Sequence, residues 1–220
     1  MSSLIEFQNN EDLAFFGKVN ASISHELKNI LAIISEAAGL LQDLTEMKTR
    51  GQKIELEMLK TCSQDIVEEI QRGFTTIKQM NTFSHSVDVP IKSVNLIEVL
   101  DLMINLAGML SFASKVRFDP APEEASIVST CPFRLQNLVY HTLVFAFKSV
   151  GADGEIQVAV HRETNSSARI AFSGLGAGGE LPFPTEETKN IAKSIGAEIR
   201  MTDDYQAIDI LVTQLVENSG

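Results

Sequence analysis

The chain has 220 residues, 44% of them hydrophobic, and a formal charge of −11, enough apolar material for one large domain or two small ones. The acidic balance argues against nucleic acid and against an anionic membrane surface, both of which are bound through clustered lysine and arginine. No stretch is apolar enough to span a membrane and the opening "MSSLIEFQNNED" lacks the basic start and apolar centre of a signal peptide, so the expected location is the cytoplasm.

All six prolines fall at or after Pro90, and the first 89 residues hold only four glycines. The chain therefore divides into an expected helical half, residues 1–88, and an expected α/β half, residues 89–220. Asn10 followed by Glu11 and Asp12 resembles a helix start, and "MKTRGQK" around Gly51 is the one good turn signal before Pro90. Two helices of roughly 35 to 40 residues, about 50 to 60 Å long, are predicted to form a hairpin. In the first helix Leu13, Phe16, Ile23, Leu27, Ile30, Ile34, Ala37, Leu41 and Leu44 follow alternating steps of three and four, with Asn20 the one polar interruption. This is a heptad seam. Leu59, Ile66, Ile70, Ile77 and Met80 offer a compatible register in the second helix, with Gly73 and small residues between them. Helices this long cannot cover their own apolar faces as a pair, so two hairpins are expected to join as a homodimeric four-helix bundle.

Within the first helix, "ISHELKNILAII" sets a histidine in an otherwise apolar run. With Ile23 and Ile30 at d and Leu27 and Ile34 at a, His25 falls at f, opposite the seam, where it must face solvent. Ser22 lies one turn back and Asn29 one turn on, on the same side, while Glu26 is on the flank. The f stripe continues through Ala32 and Gly39, with Ile33 and Leu40 beside it at g. Exposed stripes are usually Lys, Glu or Gln, and two small residues would let another helix approach closely. Geometry alone leaves two readings open: a loosely selected surface carrying a chance histidine, or a helix built to display one.

The second half predicts a helix from about Asn95, where "NLIE" makes a capping box with Glu98, and strands near "KVRF" and "SIVS". A helix opened by Pro132 follows, then strands "EIQVAVHR" and "SARIAFS", a short helix near "EETKNIAKSI", and strands "AEIRMT" and "AIDILVTQLV". The expected class is α+β: a long helical hairpin followed by an α/β two-layer sandwich. "GLGAGG" reads as a turn after a strand. Cys62 and Cys131, far apart and without ligand spacing, read as reduced packing residues, and His85, His141 and His161 suggest no metal site.

These residues carry a resemblance. "SHELKN" followed by an apolar run resembles the phosphoacceptor segment of two-component histidine kinases, whose dimerisation domain is this sort of hairpin. "MNTFSHSVDVPIKSVNLIEVLDLMINLAGMLSFASKVRFD" and "STCPFRLQNLVYHTLVFAFKSVGADGEIQVAV" are similar to the end of the second helix and to much of the kinase ATP-binding domain, so the resemblance covers most of the chain. The family's proline five residues after the histidine is replaced by Ile30.

Set against the family, the nucleotide-handling residues are missing. Phe145 stands before Ala146 where the kinases carry a Mg²⁺-holding asparagine, and a phenyl ring cannot ligate a hard cation. Phe172 stands where an aspartate would anchor adenine ahead of Gly174 and Gly176. "LPFPTEETKNIAK" replaces the phosphate-cradling glycines, and its Glu186 and Glu187 would repel a triphosphate. The lid between is also too short. The resemblance therefore implies a histidine phosphotransferase on a degenerate, HATPase-like scaffold, which needs no cofactor of its own and is not expected to use ATP. His25 would take a phosphoryl group from one response-regulator receiver domain and pass it to another, with Mg²⁺ supplied by the receiver. By the same analogy Glu26 would orient the imidazole or accept its proton, and Asn29 would position a water for receiver dephosphorylation; each is equally an ordinary polar residue on a solvated helix. Ser22, Ala32, Ile33 and Gly39 would form the receiver-docking face. Two other classes stay open: a receiver phosphatase, or a non-catalytic pseudokinase adaptor that binds a response regulator.

Overall fold

The structure is a computed structural model and describes residues 10–108, 115–119, 126–151, 154–176 and 182–215. Its class is α+β, with a long helical hairpin and a mixed five-stranded sheet backed by helices. Chain contacts divide it into two compact units, residues 17–82 and residues 1–16 with 83–220.

The hairpin unit is built from α1 (Asn10–Thr49) and α2 (Leu56–Ser84), of 40 and 29 residues. The turn falls at Gly51 as the sequence predicts, but α2 begins later and is shorter than expected. Along α1 the fully buried positions Ile23, Ile30, Ala37 and Leu44 repeat every seven residues, with Leu27, Ile34 and Leu41 half-buried beside them. That is the expected seam. Along α2 the line facing α1 runs through Leu59, Cys62, Ile66, Glu69, Gly73, Thr76 and Met80, again in steps of three and four. Ile70 and Ile77, read in the sequence as members of this seam, are 41% and 42% exposed. They stand with Val67 and Phe74 on a second apolar stripe, about one residue's rotation around the helix.

In the other unit α3 (Leu96–Gly108), α4 (Pro132–Val150) and α5 (Glu186–Ser194) accompany β1 (Lys92–Asn95), β2 (Lys115–Asp119), β3 (Ile127–Thr130), β4 (Glu155–Thr164), β5 (Ser167–Ser173), β6 (Ala197–Met201) and β7 (Ala207–Thr213). The large sheet has the order β2-β4-β5-β7-β6; β2 runs parallel to β4 and the remaining pairs are antiparallel. Strands β4, β5 and β7 alternate over most of their length, so Ile156, Val158, Val160, Ala168, Ile170, Phe172, Ile208, Ile210 and Val212 all point into the core. Each large side chain of this set contributes roughly 1.5 to 3 kcal/mol by leaving water. Against them lie the helices, with Leu135, Leu138, Val139 and Leu143 of α4 fully buried.

Local chemistry starts each helix. The Asn95 carboxamide oxygen accepts from the Ile97 amide and from the Ser126 hydroxyl, both at 3.0 Å, capping α3. Pro132 occupies the first turn of α4, where its missing N–H costs nothing. The Thr185 hydroxyl accepts from the Thr188 amide at 3.2 Å and caps α5. The short strand β1, for which the sequence gives no signal, exists because β3 supplies an antiparallel partner from Lys92↔Thr130 to Asn95↔Ile127.

Around the first turns of α1 the expectation that Leu13 is a seam residue is corrected. Leu13 is 56% exposed, whereas Phe15 is 3% exposed and Val19 2%. The reason is an aromatic cluster: Phe15 lies 5.6 Å edge-on to Phe83, 5.5 Å from Phe133 and 5.2 Å from Tyr140. Phe16 stacks on Phe83 at 5.4 Å. Such rings turn this part of the helix by one position relative to the simple heptad. Asp12, 5% exposed, faces Arg134 of α4 at 3.9 Å beside the cluster.

Candidate active site

His25 sits in the middle of α1, two residues after the fully buried Ile23, and therefore about 200° around the helix from it. Its side chain is exposed. Asn29, one turn further along the same face, places its amide nitrogen 3.3 Å from the imidazole Nδ1. Nε2 has no protein partner among the described residues and is the nitrogen free to meet another molecule. The Ser22 hydroxyl donates to the Lys18 carbonyl at 3.0 Å, satisfying itself on its own helix rather than on the histidine.

Glu26 follows His25 in sequence and pairs with the second helix. Neighbours in sequence diverge by about 100° on a helix and do not face each other. The Glu26 carboxylate turns toward α2, where Arg72 donates to it through Nε at 3.0 Å and through Nη2. Arg72 also donates from Nη1 to both oxygens of Glu69 at 3.0 Å. The Glu26 and Glu69 side chains are each only 15% exposed. Hydrogen bonding to Glu26 is the chief reason the Arg72 guanidinium is held above its ordinary pKa, against the opposing pull of burial. No hydrogen bond joins Glu26 to His25 among the described residues.

Sequence reasoning missed this cross-hairpin bridge. A signal was present: Glu69 occupies a position on the inner line of α2 where the heptad asks for an apolar residue, and Arg72 follows it at a spacing that lets the two meet. The charged layer is reached from both helices, 46 residues apart in sequence.

The docking residues named from sequence form an open face. Ala32 and Gly39 are exposed, Ile33 is 39% exposed and Leu40 45%. A Cβ added at Gly39 would meet no atom within 4 Å.

In the α/β unit the residues at the expected nucleotide positions are engaged with one another. Phe145 of α4 stacks on Phe183, ring centroids 4.3 Å apart and planes 16° from parallel. Phe172 is fully buried in β5, between Val158 and Ile208 on the neighbouring strands. Glu186 and Glu187 occupy the first turn of α5, where they complement the positive end of the helix dipole. Glu186 pairs with Lys189 at 2.8 Å and Glu187 with His141 at 3.5 Å. Gly174 leaves β5 with a φ of +85°, and a Cβ there would sit 2.7 Å from the Glu155 carbonyl oxygen. A Cβ at Gly176 would come equally close, at 2.7 Å, to the carbonyl of Ser149. Backbone packing accounts for both glycines; residues 177–179 of "GLGAGG" lie outside the described residues.

Among the described residues no group of His, Cys, Asp and Glu could hold a metal ion. Both cysteines are free and buried. No described helix is long and apolar enough to cross a membrane.

No protein-family model matches the sequence, and no curated protein matches it. In structure the chain is similar to histidine kinases. Acinetobacter baumannii histidine kinase AdeS matches at 10% identity over 82% of this chain and 96% of its own, with a TM-score of 0.47. The mycobacterial sensor histidine kinase MprB matches at 16% identity over 56% of this chain and 96% of its own, TM-score 0.46. Histidine kinase ThkA, in a complex with the response regulator protein TrrA, matches at 19% identity over 96% of this chain and 65% of its own, TM-score 0.47.

Proposed function

We propose that this protein is a histidine phosphotransferase of a two-component phosphorelay, in which His25 carries a phosphoryl group between response-regulator receiver domains. The observation that carries the reading is the exposed imidazole of His25 on the outer face of α1, with Nε2 free of protein partners among the described residues. In the forward step the tautomer with its proton on Nδ1 reacts, and its Nε2 lone pair forms a bond to the phosphorus of an aspartyl phosphate. The P–O bond to the aspartate breaks, its electron pair stays on the carboxylate, and the Nδ1 proton passes to solvent as the imidazole becomes neutral again. The reverse step delivers the group to the aspartate of a second receiver. Positioning dominates such a transfer, and the helix supplies it.

ATP has no part in this proposal. The Phe145–Phe183 stack offers an apolar surface where the resemblance puts a metal ligand, and Glu186 and Glu187 give α5 an acidic start. The experiment is to incubate the protein with Mg²⁺ and either labelled ATP or a labelled phospho-receiver. The receiver is expected to label His25, and the label to move on to a second receiver, while ATP gives none. Labelling by ATP would return the chain to the kinases; a receiver dephosphorylated without label on His25 would make it a phosphatase.

The proposed working unit is a homodimer. Val67, Ile70, Phe74 and Ile77 repeat in steps of three, four and three along α2 and are 53%, 41%, 63% and 42% exposed. On α1, Leu31 is 62% exposed. A hairpin with this second stripe has the pattern of half a four-helix bundle. Phe74→Glu is therefore expected to raise the dimer dissociation constant at least about a hundredfold, since two phenyl rings are lost and two carboxylates would be buried. Analytical ultracentrifugation reads the change; an unaltered dimer would place the interface elsewhere.

A further inference from the structure

We propose that Arg72 of α2 is a positioning residue for phosphoryl transfer at His25: it draws the Glu26 carboxylate onto α2 and offsets its charge, so that an anionic phosphoryl group can approach the histidine. The proposal rests on the phosphoacceptor reading of His25 and adds what the second helix contributes to it. A carboxylate on the residue next to the acceptor works against the transfer, because the arriving group itself carries nearly two negative charges and like charges repel. The offsetting cation comes from the other helix of the hairpin. Arg72 donates to Glu26 through Nε at 3.0 Å and through Nη2, and from Nη1 to both oxygens of Glu69 at 3.0 Å. Two carboxylates and one guanidinium leave this layer with a net charge of −1; without Arg72 it would be −2.

Burial makes these charges count for more than the others on the hairpin. The Glu26 and Glu69 side chains are each 15% exposed, so water and salt screen them poorly. Lys28, three residues beyond His25 on α1, is exposed, and its charge is spread into solvent. It cannot stand in for Arg72. The guanidinium also fixes where the Glu26 charge lies, since its fork holds the carboxylate on the α2 side of α1 and away from the solvent face that bears His25. A half-buried ion pair adds little net stability once its desolvation is counted. Charge compensation beside the phosphoacceptor is the effect left for Arg72 to supply.

The test is the initial rate at which a labelled phospho-receiver labels His25 in full-length protein at pH 8, with circular dichroism confirming helix content in every variant. Rates are expected to follow the net charge of the layer rather than the presence of the bridge. Arg72→Gln, at −2, should be at least about tenfold slower than wild type, a loss of about 1.4 kcal/mol in the barrier. Arg72→Lys keeps the charge without the fork and should stay within about threefold of wild type. Glu26→Gln/Arg72→Gln returns the layer to −1 and should recover to within about threefold, although the bridge is absent. Glu26→Gln alone, at zero, should be no slower than wild type. A double variant as slow as Arg72→Gln would overturn the proposal, because the bridge itself would then matter. So would a slow Glu26→Gln, which would give the glutamate a role at the histidine, or an Arg72→Gln rate equal to wild type. Those results leave the relay reading standing, whereas a wild-type protein that takes no label overturns both.

Discussion

His25→Gln is expected to abolish phosphoryl acceptance, below one per cent of wild type, while leaving the thermal midpoint and the proposed dimer unchanged. Glutamine keeps a hydrogen-bonding side chain of good helix propensity but has no nucleophilic nitrogen, since its amide lone pair is delocalised. The structural cost is small because the ring is exposed and opposite the buried line of Ile23 and Ile30. All that is lost is the contact with Asn29, worth about 0.2 to 0.5 kcal/mol for a pair one turn apart. Label transfer from a phospho-receiver and a melting curve read the two halves. Label retained on the variant would move the acceptor to another histidine. His141 is tied to Glu187 and His85 to Asp88, at 3.5 Å and 2.7 Å, whereas His161 stands exposed on β4. Loss of the dimer in the variant would show instead that the face of α1 bearing His25 is an interface.

The orientation of His25 was legible because it depends only on the period of a helix. Once Ile23, Leu27 and Ile30 turn inward, His25 has one direction left. The α/β half was legible for the same kind of reason: β4, β5 and β7 alternate, Pro132 opens α4, and Asn95 caps α3. What failed to show was the partner of each face. Ile70 and Ile77 fit the same seven-residue repeat as Leu59 and Ile66, yet they belong to another stripe, because periodicity reports that a face is apolar and not what covers it. Leu13 was misplaced for a related reason, since rings from α2 and α4 draw Phe15 inward and turn Leu13 out. Contacts between distant segments were silent as well. Arg72 reaches Glu26 across 46 residues, and Phe183 finds Phe145 from beyond the intervening strands. Phe145 and Phe172 stand out in the sequence as departures from the kinase pattern. That one stacks on Phe183 and the other lies in the sheet core is information only the fold contains.

Phe83→Ala is expected to be the most destabilising single change in the chain's aromatic cluster, at about 3 to 5 kcal/mol. Phe83 lies in the last turn of α2 and is fully buried. Its ring meets Phe15 edge-on at 5.6 Å and 86°, stacks on Phe16 at 5.4 Å and 23°, and approaches Phe133 at 6.3 Å. Truncation removes all three ring contacts at once, each worth roughly 0.5 to 1.5 kcal/mol beyond the area it buries, and leaves a cavity bounded by stiff rings that cannot collapse into it. Set against a typical domain stability of about 5 to 15 kcal/mol, that loss takes away a large part of the margin. At roughly 2 to 4 °C per kcal/mol for a chain of this length, the midpoint should fall by about 6 to 20 °C. Phe83→Leu keeps most of the volume and should fall by less than half as much; alanine and leucine are both better helix formers than phenylalanine, so the difference reads the cavity. Thermal melts followed by circular dichroism at 222 nm, and by the aromatic bands in the near ultraviolet, measure both. A drop of no more than about 2 °C in Phe83→Ala would mean that Phe15, Phe16 and Phe133 close over the gap and that the cluster does not depend on the Phe83 ring.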